Sequence, residues 1–131
     1  MKLFSPEKAN ALIPKVEPLV EELWAKRREL AIKLLENDPA LHTYKPTEQR
    51  LAGLRSPFAP RKFSELKAEI VRLINRIEAY GCIVKDIDLG LLDFPAMREG
   101  EPIYLCWKSG EAVILHWHGI DETFADRKTL A

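Results

Sequence analysis

The chain has 131 residues, of which 47% are apolar, and its charges balance at 20 basic against 20 acidic. That length fits one domain with a modest core. A balanced charge excludes a global field that would draw the whole molecule to nucleic acid or to an anionic membrane.

The start, "MKLFSPEKAN", lacks the apolar stretch of a secretory leader, and no apolar run reaches the length of a membrane span. A cytoplasmic protein is expected. Ser5 and Pro6 open the first helix, Ser as cap and Pro at the first helical position. Pro14 and Pro18 follow, each removing a backbone donor. The sequence therefore predicts a short helix over about 6–13, a break, and a long helix to about Glu36. Val16, Val20, Leu23, Leu30 and Leu34 form its apolar stripe.

Residues 37–61 carry four prolines and little periodicity. Connections of this length are uncommon inside compact domains and are often functional. From Lys45 to Lys62 the segment holds Lys45, Arg50, Arg55, Arg61 and Lys62 against Glu48 alone. Arg50, Arg55, Arg61 and Lys62 are the candidate partner contacts. The stretch Asp86–Glu101 is correspondingly acidic, so the arm is a candidate to fold over it.

Ser64 caps a second helix. Leu66, Ile70, Leu73, Ile77 and Tyr80 repeat at four-three spacing, and Gly81 marks the stop. Two helices with matching stripes predict an antiparallel helical hairpin. Leu19, Val71 and Ile74 lie outside the stripes. Their burial calls for a sheet or a second subunit, and a homodimer through the helices is expected.

The last third reads as two β-hairpins, "CIVKDIDLGLLDFP" and "PIYLCWKSGEAVILHWH". Strand faces alternate, so turn length decides which residues share a face. A two-residue turn at Leu89-Gly90 sets Asp86 directly across from Asp93, where like charges repel and call for a cation or a proton. In the second hairpin a three-residue loop, Lys108-Ser109-Gly110, segregates best, with Gly110 in the left-handed region. Ile103, Leu105, Trp107, Val113, Leu115 and Trp117 then share an apolar face. Tyr104, Cys106, Ala112, Ile114, His116 and His118 occupy the other.

In that register Cys106 pairs with Ala112 and stands about 13 Å from His116, at about 3.3 Å per residue. One metal cannot join them, and Cys106 reads as a small structural residue. Cys82 and Cys106 have no close spacing motif and fit a reducing compartment, with a bridge between them open only if their strands adjoin. His116 and His118, two residues apart, point the same way and can chelate. Further ligands are available from Asp121, or from Asp86 and Asp93 if the hairpins adjoin. Zinc, manganese or iron would suit such a set. The bland reading is two surface histidines beside a core Trp117. Phosphate-cradling glycine loops, G-x-S-x-G, H-E-x-x-H and paired C-x-x-C motifs are all missing. Aromatic and basic residues do not interleave on a strand as in an RNA-stacking sheet.

The segments "FSPEKANALIPKVEPLVEEL", "GCIVKDIDLGLLDFP", "YLCWKSGE" and "WHGIDETFADR" resemble the prokaryotic family known as domain of unknown function 2203. The resemblance covers both ends of the chain and leaves the proline-rich middle outside. Asp86, Asp93, Pro95, Tyr104, Trp107, Gly110, Glu111, Trp117, His118 and Phe124 match its pattern. His116 departs from it, as does "TFADR" where the family tends to read Gly-Phe-Ala-Gly-Arg. The first departure favours His118 with Asp93 over a His-x-His chelate. The resemblance implies no mechanism.

These readings together predict a single α+β domain over 1–131. An antiparallel helical hairpin with a short N-terminal helix fills about 5–81. A small antiparallel sheet of two hairpins spans about 82–118, and 119–131 is a tail. The expected function is a non-enzymatic cytoplasmic interaction module, dimeric through its helices, with an unidentified protein partner. The alternative is a metal-binding protein or metal-dependent enzyme using His118, His116, Asp93 and Asp86. A third, weaker alternative is nucleic-acid contact through the basic loop.

Overall fold

The computed structural model describes residues 2–36 and 63–130. The basic loop, with Arg50, Arg55, Arg61 and Lys62, lies outside them. The described chain is α+β, with two helices against one face of a five-stranded antiparallel sheet.

Helix α1 (Pro6–Glu36) begins as its sequence dictates, with the Lys8 amide donating to Ser5 Oγ at 3.2 Å. The break expected near Pro14 is not made. Pro14 and Pro18 sit inside one continuous helix, and both are exposed. Four residues apart, they share a face, so the carbonyls they leave unpaired look toward solvent. The opposite face buries Ala9, Ile13, Val16, Leu19, Val20 and Leu23. Leu19, expected as surplus, is therefore core, whereas Leu34 is half exposed. Helix α2 (Phe63–Glu78) buries Leu66, Ile70, Leu73 and Ile77, the expected stripe. A Lys26–Glu69 ion pair at 3.6 Å links the two helices.

The strands β1 (Ile83–Asp86), β2 (Leu91–Arg98), β3 (Glu101–Lys108), β4 (His116–Gly119) and β5 (Lys128–Thr129) form a meander in chain order. Arg98 pairs with Glu101, so Glu99 and Gly100 make the tight turn that joins the two expected hairpins. Both have positive φ, as a type I′ hairpin turn requires. Leu92, Phe94, Ala96, Ile103, Leu105 and Trp107 face the helices and complete the core with their stripes.

Two registers differ from the sequence reading. Asp86 lies opposite Leu91 and Asp93 opposite Ile83, with the pairing irregular at Lys85. The connection after β1 is four residues long, and Asp86 Oδ1 accepts the Leu89 amide at 2.9 Å within it. The Asp86–Asp93 repulsion does not arise. In the second hairpin Cys106 pairs with His116, and Leu105 with Trp117. The loop between β3 and β4 is thus longer than three residues, and Gly110 still takes positive φ, +99°. Within that loop Ile114 is buried and Val113 and Leu115 are exposed, the reverse of the expected pattern. Asn10 of α1 sets this, because its Oδ1 accepts the Ile114 amide at 2.7 Å and draws that residue inward.

Proline inside a central strand needs an explanation, since it cannot donate to a ladder. β1 reaches only as far as Asp93, so the side of Pro95 that lacks a donor meets no strand. Its carbonyl on that side accepts the Phe4 amide at 2.8 Å. The Phe4 ring packs edge-on to Phe94 at 5.2 Å.

Candidate functional site

The sheet's second face is roofed by the segment after β4. This roof, with Phe124 in a short 3-10 turn over Phe124–Asp126, explains how polar residues opposite the core are also buried. Asp93 of β2 is 2% exposed and His118 of β4 is 4% exposed, the two buried polar side chains among the described residues. Cys106 of β3 stands between them in the sheet, paired across to both their strands.

His118 Nε2 lies 3.0 Å from Asp93 Oδ1. His118 Nδ1 lies 2.8 Å from the Gly119 carbonyl. A carbonyl only accepts, so Nδ1 carries a proton and Nε2 is the nitrogen turned to Asp93. One ligand atom from each of Asp93, Cys106 and His118 lies within 4.8 Å of the others. Burial raises the Asp93 carboxyl above its ordinary value, against the opposing effects of His118, Lys85 and Cys106. Burial and the neighbouring Asp93 push the Cys106 thiol up to about 12, with Arg127 pulling the other way.

Around this trio the charges are committed. Arg127 donates to both carboxylate oxygens of Glu111 at 3.2 Å and lies 4.0 Å from the Phe124 ring centroid. Glu111 also accepts the Lys108 amide and, through its carbonyl, Trp107 Nε1. A cleft of about 360 Å³ opens beside the trio, with Lys85, Leu89, Leu91 and Phe124 in its walls.

Of the four metal ligands expected from the sequence, the structure brings His118 and Asp93 together. Asp86 lines the cleft but caps its own turn. His116 lies 3.8 Å from Glu111 and stands outside the trio. Cys106 takes the third place. The sequence reading excluded it through the hairpin register that the structure replaces. Lys85 was missed as well; a lysine just ahead of one aspartate-rich turn gave no signal of a bulge. Cys82 is buried against the Ile77 carbonyl, and both cysteines are free.

Among the described residues no helix is long and apolar enough to cross a membrane. Comparison with curated proteins and with solved structures gave no match. The profile of the family described as "Uncharacterized conserved protein (DUF2203)" matches residues 2–130, through the proline-rich middle as well as both ends, and the chain belongs to that family.

Proposed function

We propose that this protein binds a transition metal of the zinc class through Asp93, Cys106 and His118. The observation that carries the reading is the convergence of three different ligand types, all buried, within 4.8 Å. Thiolate, imidazole and carboxylate together suit zinc better than a hard cation. His118 supports it in detail. A ligating histidine commonly donates its other ring N–H to a carbonyl, which fixes the tautomer and aims the free nitrogen. Ligands about 2.0 Å from a tetrahedral ion stand about 3.3 Å apart, so the 3.0 Å His118–Asp93 pair needs to open by only a few tenths.

Elemental analysis of the purified full chain tests this. We expect close to one equivalent of metal, a rise in melting temperature on adding zinc to chelator-treated protein, and no rise in Cys106→Ala or His118→Ala. Metal-free purified protein whose melting does not respond to zinc, manganese or iron would overturn the reading.

A second reading, an interaction module paired through its helices, has its own support. Trp24, Leu34 and Leu35 leave large apolar surfaces exposed on α1, and Val71 does so on α2. Ile74, outside the helical stripe, packs partly against the core. Light scattering at micromolar concentration is expected to give twice the monomer mass, and a monomer at every concentration would remove the pairing.

A further inference from the structure

We infer that the Asp93–Cys106–His118 site takes a small organic carboxylate with an apolar body, held at its head by Lys85. This rests on the metal reading above. Three protein ligands leave a tetrahedral ion one position for an exogenous group. The cleft beside the trio has the volume for a small molecule, about 360 Å³.

The charges of that cleft single out one cation. Lys85 stands where the β1–β2 register slips, and bulges next to binding sites commonly re-aim a side chain. Its Nζ lies 5.0 Å from the Tyr104 ring centroid, over the sheet face that holds Cys106 and His118. Among the described residues no carboxylate pairs with it in an ion pair. Of the acids of the cleft, Asp93 feels the Lys85 charge without an ion pair and stands as a ligand of the trio, and the other two are engaged elsewhere. Asp86 caps the Leu89 amide at 2.9 Å, and Glu122 is held by Lys128 Nζ and the Gly119 amide, both at 2.6 Å. An anionic head bound beside the trio would share its cleft with Lys85, whose Nζ would supply a charge-assisted bond. The remaining wall is mostly apolar, from Leu89, Leu91 and Phe124, with Thr123 beside them donating its hydroxyl to Asp126. It fits a hydrocarbon body and gives a phosphate ion nothing to pack against.

Cobalt-loaded full chain provides the test, because ligand exchange at cobalt changes its visible spectrum. Butyrate is the probe, with acetate, inorganic phosphate and butylammonium beside it. We expect butyrate to shift the spectrum saturably and butylammonium to leave it unchanged. Affinity should rise from acetate to butyrate by about four-fold per added methylene. Lys85→Met should weaken butyrate about ten-fold or more while retaining cobalt at least as tightly, since a nearby positive charge is removed. Lys85→Arg should keep most of the butyrate affinity. A cobalt spectrum that butyrate does not move, or a Lys85→Met variant that binds both cobalt and butyrate as before, would overturn this inference and leave the metal reading standing. Phosphate binding tighter than butyrate, with no dependence on chain length among the carboxylates, would overturn the organic-acid class. A chain that takes up no cobalt would remove the metal reading and this inference with it. If Lys85→Met also loses cobalt, the arginine variant decides: loss of butyrate there, with cobalt kept, overturns the role given to Lys85.

Discussion

At the scale of single residues, burial governs the chemistry of both thiols. Cys82 and Cys106 are each pushed up from an ordinary 9.0 to about 12. A group whose folded pKa is raised contributes stability that is fully present below its unfolded value and lost as pH climbs toward the folded one. Between about pH 9 and 12 the unfolded chain sheds protons that the folded chain keeps, so stability falls across that window. Denaturation measured from pH 8 to 11 should show the fall, and Cys82→Ala or Cys106→Ala should flatten it. A variant that declines as steeply as the parent would show that its thiol is not the cause. The same burial makes His118 and Asp93 dependent on each other. Removing one partner of a buried pair typically costs about 3–5 kcal/mol, so metal-free His118→Ala is expected to be destabilised by about that amount in a denaturant titration. Asp93 and His118 were legible in the sequence as a pair. Cys106 was not, because its place depends on which residue it faces, and composition does not carry that.

At the scale of elements, the helices and the core face of β2 and β3 were readable because a 3.6 or 2.0 period survives in the sequence. Register was harder, for a specific reason. Pairing Cys106 with Ala112 or with His116 leaves His116, Trp117 and His118 on the same faces, so face alternation in the strand cannot choose between them. The bulge at Lys85 changes faces outright, and one extra residue leaves no compositional mark. Turn glycines bear the consequences. Gly90 has φ +64°, and a Cβ there would stand 2.6 Å from Ser109 Cβ. Gly110 has φ +99° with open space around it. Gly90→Ala therefore adds a clash to backbone strain and should cost about 2–4 kcal/mol. Gly110→Ala bears the strain alone and should cost about half as much. Equal costs in chemical denaturation would mean that Ser109 yields freely.

At the scale of the whole molecule, the two faces of the sheet divide the labour. One face meets the helices and makes the core, and the other, under its roof, holds the candidate ligands. The apolar surplus in the sequence correctly required something beyond two helices, and the sheet absorbs most of it. The strand order has a further consequence, for kinetics. Every strand pairs with its neighbour in the chain, so the sheet closes only short loops as it forms. The bond from Asn10 to Ile114, by contrast, spans 104 residues. Short closures precede long ones when entropy sets the order. The meander should therefore be largely formed at the folding barrier, with the N-terminal turns of α1 docking after it. Asn10→Ala should then accelerate unfolding and leave the folding rate nearly unchanged, while disruption of the Glu99-Gly100 turn should slow folding itself. In a refolding experiment Asp93, Cys106 and His118 would come within reach of one another before the core beneath them is sealed.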